Sequence, residues 1–326
     1  MAIHLQFSKA NAPFKAHIYL FIALLLCWMP LSASALGGVT ILISAQAAPV
    51  NEFLEQFKTE FAQNLNPKLP VRVITEEDLA NNRTAIGEDD LLIAVGVQAL
   101  DYASKLDAKL PVLGVLVPQP SFEKILADSK RSPRTFSAIV LDQPFPRQIA
   151  LLKAVMPSAT NVGVLFGPAS QPLSSDLQQA ARQQGLGILQ ENVNSPPELM
   201  PKLRRVLEGS PALLAVPDPT VYNRETVQTI LLTSYRYQKP VIGFSQAYVR
   251  AGALAAVYST PRQIAKQVAE VIRLIAVKAP TSLPPPQAPK YFSVDTNRQV
   301  AHSLGIEMDD ENALSETLLR IERQLP

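Results

Sequence analysis

The 326-residue chain carries one cysteine, one tryptophan and three histidines, and aromatic residues make up only 6% of it. A lone cysteine, Cys27, allows no internal disulfide, so the fold must rest on its apolar core. Cys27, Trp28, His4 and His17 all fall within the first 35 residues. Without that stretch the chain keeps His302 as its single histidine and has no thiol. Cysteine nucleophiles and His-pair or cysteine-type metal sites are then excluded. A Ser-His-Asp triad would have to use His302. That residue lies in Gln299–Gly305, a predicted helix ending at Gly305, where a histidine favours the helix dipole. There is no Gly-x-Ser-x-Gly elbow and no glycine-rich phosphate or dinucleotide loop. Gly185-Leu186-Gly187 reads as a helix stop leading into a strand. No cofactor, no metal and no catalytic residue is expected, and the subtraction favours binding over enzymatic turnover.

An excess of either charge is also missing. The chain has 30 basic and 28 acidic residues, and removing Lys9 and Lys15 leaves 28 of each. Nucleic acid and anionic membrane surfaces call for a basic field, so neither is an expected partner.

The first 35 residues have the three parts of a secretory signal. Lys9 and Lys15 supply a basic start, Ile18 to Met29 an apolar run, and Ala33-Ser34-Ala35 a small-x-small site after Pro30. The apolar run of 12 residues is shorter than the ~20 needed to span a bilayer. Cleavage after Ala35 would release a free periplasmic protein of the Gram-negative type. The alternative is a lipoprotein anchored at Cys27, although Leu26 stands where lipoprotein processing needs a small side chain.

From residue 36 onward, short aliphatic runs alternate with amphipathic stretches. The predicted strands are Val39–Ser44, Val71–Thr75, Leu91–Val95, Val112–Val117 and Ser137–Leu141, then Asn161–Phe166, Gly187–Val193, Ala212–Val216, Val241–Ser245 and Ala253–Tyr258. Runs such as Leu91-Leu92-Ile93-Ala94-Val95 mark strands covered on both faces, as in parallel sheets. Phe53, Leu54, Phe57 and Phe61 share one helical face, as do Val268, Val271, Ile272 and Ile275. The alternation predicts right-handed βαβ units and hence two doubly wound parallel-sheet α/β lobes. The break falls near Asp142-Gln143-Pro144-Phe145-Pro146, where two prolines in three residues cannot continue a central strand. A second proline-rich stretch runs from Leu283 to Pro289. Tyr291–Asp295 reads as a further strand and Ala313–Gln324 as the final helix. The expected first lobe is 36–142 plus about 259–282, and the second 143–258 plus about 283–326. Crossings near Asp142–Pro146, Tyr258–Pro261 and Leu283–Tyr291 form a multi-strand hinge.

In an open α/β sheet, ligands bind at the carboxyl ends of strands. The candidate ligand-binding residues there are Gln46, Gly96, Gln98, Gln119, Ser170, Asp218, Thr220, Phe244 and Ser245. Gln46 and Gln98 each follow a buried strand and are not ideal caps. Gly96 allows close backbone approach. Asp218 follows Leu213-Leu214-Ala215-Val216-Pro217 and could accept hydrogen bonds from a ligand amine. It could equally form a turn before Pro219 or cap the helix running to Tyr237. Phe244 suits core or cleft lining, and Tyr222 and Tyr248 could stack on a ring or cover the lobe surface.

Several stretches resemble the periplasmic substrate-binding proteins of the ABC-transporter family that includes tryptophan and tyrosine binders. They are Leu151–Pro157 with Asn161–Leu165, Asp218 to Thr260 with its Lys239-Pro240-Val241-Ile242-Gly243 and Val249-Arg250-Ala251-Gly252-Ala253-Leu254-Ala255, and Val294–Gly305. The resemblance implies a type I periplasmic-binding fold that closes its lobes on a small ligand, such as an amino acid or related small organic molecule. It also implies an inner-membrane ABC permease as partner and a monomeric chain. Pro118-Gln119-Pro120 stands where the family often has Asp-Pro, and Gly167-Pro168-Ala169 where it often has an Asn- and Ser-rich loop. An accessory binder that feeds a signalling or outer-membrane system is the alternative to transport.

Overall fold

The structure, a computed structural model, describes residues 36–64, 69–81, 86–87, 90–276 and 282–323. The expected signal segment lies outside the described residues, as does Gln324, the last residue of the expected final helix.

The first lobe is built from β1 (Gly38–Ile43), α1 (Ala48–Asn64), β2 (Val71–Thr75), α2 (Glu76–Ala80), β3 (Asp90–Val95), α3 (Val97–Ser104), β4 (Val112–Val117), α4 (Gln119–Asp128) and β5 (Phe136–Val140). Its strands form one sheet in the order β2-β1-β3-β4-β5, every pair parallel. Every residue of β1, β3 and β5 is buried. These are the near-continuous aliphatic runs, and helices on both sheet faces account for their composition. Edge strand β2 has a single buried residue, Ile74.

The second lobe contains α5 (Phe145–Val155), β6 (Asn161–Phe166), α6 (Ser174–Gln183), β7 (Gly187–Asn192), α7 (Leu199–Gly209), β8 (Leu213–Leu214), α8 (Val227–Arg236), β9 (Val241–Gly243), α9 (Gln246–Ala251) and β10 (Ala255–Tyr258). After α10 (Pro261–Ala276), it is completed by β11 (Ser293–Thr296), α11 (Arg298–Ser303) and α12 (Glu311–Glu322). The sheet order is β11-β10-β9-β8-β6-β7, parallel except that β11 runs antiparallel to β10.

Three boundaries differ from the sequence reading for identifiable reasons. The strand expected to run to Ser245 stops at Gly243, because the Ser245 hydroxyl accepts the Tyr248 N–H (3.4 Å) and caps α9. The strand expected over Ala212–Val216 narrows to two residues, between Pro211 and Pro217. The helix expected to run from Asp218 begins only at Val227, after turns in which the Asn223 carboxamide accepts the Thr226 N–H (3.1 Å).

Helix α10 returns to the first lobe. Ile264, Ala265, Val268, Ile272 and Ile275 enter one core with Phe53, Phe57 and the β1 and β3 side chains. The next segment stays with that lobe, contrary to the expected division at about 283. Leu283 is buried in the same core. The Gln287 N–H donates to Ala138 O (2.9 Å) and the Val140 N–H to Gln287 O (3.0 Å), so the segment pairs with the open edge of β5. The division therefore falls past residue 288, before β11. The chain passes between lobes at 141–144, 258–260 and 288–292.

Arg147, buried at the start of α5, ties these crossings together. Its guanidinium donates to Gln143 Oε1 (2.6 Å), to Pro289 O (2.9 Å) and to both carboxylate oxygens of Glu322 on α12. It also lies over the Phe292 ring at 4.2 Å. Gln143 in turn donates to Ser259 Oγ (2.9 Å), and Ser259 donates to Tyr291 O (2.5 Å).

Packing against the second sheet leaves no slack at Gly163 in β6. A methyl there would lie 2.1 Å from Val206 Cγ1 and 2.6 Å from Ser210 Oγ, both buried. Gly163→Ala should destabilise the protein by roughly 1–3 kcal/mol through overpacking. A lowered urea midpoint with unchanged denaturant slope would show it.

Candidate functional site

The carboxyl ends of both sheets face a common cleft. Pro118 follows β4 and Leu141-Asp142 follows β5. Pro217 follows β8, Phe244-Ser245 follows β9, and Tyr258-Ser259 ends β10. Together with Gln143 and Gln148 these residues enclose a cavity of about 260 Å³. Pro118, Pro217 and Phe244 also line an adjoining cavity of about 500 Å³ that includes Ser121, Lys124 and Tyr222. Asp142, Gln143, Gln148 and Pro217 continue into a third space of about 100 Å³ beside Asp176. Cavities of this size, mostly apolar with a few convergent polar groups, are what small-molecule sites look like.

Each polar group is placed by a neighbouring element. Asp142 ends the strand run of β5 and its Oδ2 accepts the Gln119 N–H at 2.5 Å, which anchors the start of α4. Burial pushes its carboxyl above the ordinary aspartate value, against the backbone hydrogen bonds from Gln119 and its own residue that pull it down. The nearby Glu123 adds to the upward push. Gln148 sits on the first turns of α5 with 4% exposure; its amide donates to Gln143 O (2.8 Å), and its Oε1 has no hydrogen-bond partner among the described residues. A buried acceptor without a donor is a costly arrangement that a ligand N–H or O–H would relieve.

The aromatic wall is a cluster on the second lobe. The Phe244 ring centroid lies 4.4 Å from that of Tyr248 and 6.0 Å from that of Tyr222, the latter edge-on. Burial drives the Tyr222 phenol well above its usual value, helped by Tyr248 and Asp218, and drives Tyr248 up as well. Both are neutral hydrogen-bond donors near pH 7, and the Tyr222 hydroxyl is buried without a partner among the described residues. Tyr258 is held to about 12 by burial and by the Asp295 carboxylate it hydrogen-bonds.

The ABC transporter substrate binding protein family matches residues 75–317. The chain belongs to this family. Solved structures similar to this substrate-binding chain have the same two-lobed fold. An ABC domain from Streptococcus pneumonia in complex with L-Trp has a TM-score of 0.58 at 15% identity, over 86% of this chain and 98% of its own. A substrate-binding protein with adhesive properties from Clostridium difficile, ligand-free and open, reaches 0.66 at 15% identity, over 84% and 96%. A conserved domain protein from Vibrio cholerae gives 0.58 at 17%, over 86% and 98%. At these identities the likeness concerns the fold alone. No curated protein matches the sequence.

Within this substrate-binding protein the nine sequence candidates separate. Phe244 and Ser245 line the central cavity, and Gln119 lines the smaller space beside Asp142. Gln46 and Gln98 are exposed at the carboxyl ends of β1 and β3 and line none of these three cavities. Gly96 does not line them either. A side chain there would meet open space, and the glycine is required by its φ of +90°, which turns β3 into α3.

Asp218 lines the larger cavity, yet its carboxylate is already fully engaged. Oδ2 accepts from the Ala169 and Ser170 N–H groups (3.1 and 2.9 Å) and the Ser170 hydroxyl (3.0 Å). Oδ1 accepts from the N–H groups of Thr220 (2.8 Å) and Val221 (3.3 Å). A carboxylate offers about four lone-pair sites, so none is left for a ligand amine. Asp218, Ser170 and Thr220 form the clamp that joins the loop after β6 to the loop after β8. Gly167 makes it possible, since a Cβ there would stand 2.1 Å from Asp218 Oδ1.

The sequence reading passed over Asp142, Gln143, Gln148, Tyr258 and Ser259 as ligand groups. One signal was available: Arg147-Gln148 precedes the wholly apolar Ile149-Ala150-Leu151-Leu152, which places two polar side chains on a helix that must be buried.

Two outcomes follow for the carboxylates. Asp218→Ala leaves five donors unpaired and should cost on the order of 3 kcal/mol, read as a lower urea midpoint. Asp142 behaves oppositely. Its folded value is raised, so between the ordinary 3.8 and that value the folded state holds more protons and stability falls as pH rises. Asp142→Asn should therefore be more stable than the parent at pH 7. The gap should close as pH drops below 3.8, in denaturation measured across pH.

Proposed function

We propose that this chain is the periplasmic solute-binding component of an ABC-type uptake system. It takes a small organic ligand into the cleft between its lobes and presents the closed form to an inner-membrane permease. The observation that carries this reading is the shared cavity. Its walls come from strand ends of both sheets, and its polar groups are not all consumed by the protein itself. Among the described residues the chain crosses between the lobes three times, which suits hinge closure on a ligand. The family to which the chain belongs supports delivery to a transporter, and the expected N-terminal signal supports a periplasmic address.

Binding to the folded state stabilises it by mass action, about 2.7 kcal/mol at one hundred times Kd. A thermal-shift screen of amino acids, nucleosides, small organic acids and amines should reveal at least one solute that raises Tm. The same solute should reduce the radius of gyration in small-angle scattering and leave the chain monomeric. No shift across the whole panel would defeat the proposal. Tryptophan fluorescence is a poor readout, because Trp28 is the only tryptophan and belongs to the segment expected to be removed.

A further inference from the structure

We propose, on the footing that this cleft is the binding site, that its ligand is an organic amine with an apolar body and no carboxylate next to the ammonium group. The charge of the lining points to this. Among the described residues, those lining the central cavity and the small space that continues it include Asp142 and Asp176 and not one lysine or arginine. Arg147 is close by, but four of its five N–H donors go to Gln143, Pro289 and Glu322.

The buried polar atoms have the same sense. Gln148 Oε1 is an acceptor without a donor. Asp142 is an acceptor with one oxygen anchored by Gln119 and further lone pairs on the carboxylate. An ammonium group brings three donors and one positive charge and satisfies both. The apolar walls Pro118, Leu141, Pro217 and Phe244 then receive the rest of the molecule.

A carboxylate on the carbon bearing the amine would lie about 2.5 Å from the nitrogen, among the same aspartates and with no cation to meet it. Among the described residues Lys124 is the single cation lining these cavities, and it lines only the larger one. It repels a second amine there, so a monoamine fits better than a diamine.

The test uses the processed chain and three matched probes: phenethylamine, its α-carboxylated counterpart phenylalanine, and N-acetylphenethylamine. Calorimetry and thermal shift should rank phenethylamine at least tenfold above the other two. Asp142→Asn should lose at least tenfold for phenethylamine while melting no lower than the parent without ligand. Gln148→Leu, which keeps the side-chain volume, should weaken the amine and leave the acetylated probe unchanged. Tighter binding of phenylalanine or of the neutral probe, with Asp142→Asn indifferent, would overturn the amine while leaving a substrate-binding cleft in place. Absence of binding by all three probes and by the wider solute panel would remove the cleft function as well.

Discussion

The buried guanidinium of Arg147 is the constraint on which the two-lobed arrangement depends. A charge taken out of water must be paired and hydrogen-bonded on every side. The groups that do this come from two of the crossings and from the last helix: Gln143, Pro289, Phe292 and Glu322; the third crossing joins through Ser259, which Gln143 holds. The same contacts fix Gln143, which positions Ser259 and accepts at its carbonyl the amide of Gln148. One cation thus sets both the spacing of the lobes and the floor of the cavity between them.

Two aspartates of the cleft, Asp218 and Asp142, divide the work of structure and recognition. Asp218 is saturated by five donors and behaves as a clamp. Asp142 keeps acceptor capacity, and burial works against its ionisation. A site that must hold a ligand has to leave some polar groups unsatisfied, and such groups lower the stability of the empty protein. Asp142, Gln148 and Tyr222 are where this chain carries that penalty, whereas Asp218, Ser170 and Thr220 spend their polar atoms on each other.

The aliphatic runs made the strands legible with small end errors, because a strand covered on both faces must be apolar at every position. The phenylalanine face of α1 and the isoleucine–valine face of α10 were equally plain, although nothing local said that these faces pack together on one side of the first sheet. The site was legible in part. Phe244, Ser245 and Gln119 could be placed at strand ends in the cleft. Gln46, Gly96 and Gln98 stand at strand ends too, but at β1 and β3, away from the side of the sheet where the lobes join.

The sequence by itself determined the two series of βα units and the proline-marked crossing at 142–146, because composition and periodicity act along the chain. Tertiary structure alone decided which strand ends face one another, that residues 283–288 add to the edge of β5, and that Asp142 rather than Asp218 retains free acceptor capacity. Whether a carboxylate is consumed depends on donors 48 and 49 residues away, as for Ser170 and Ala169. Such separations are closed by packing, and no local pattern encodes them.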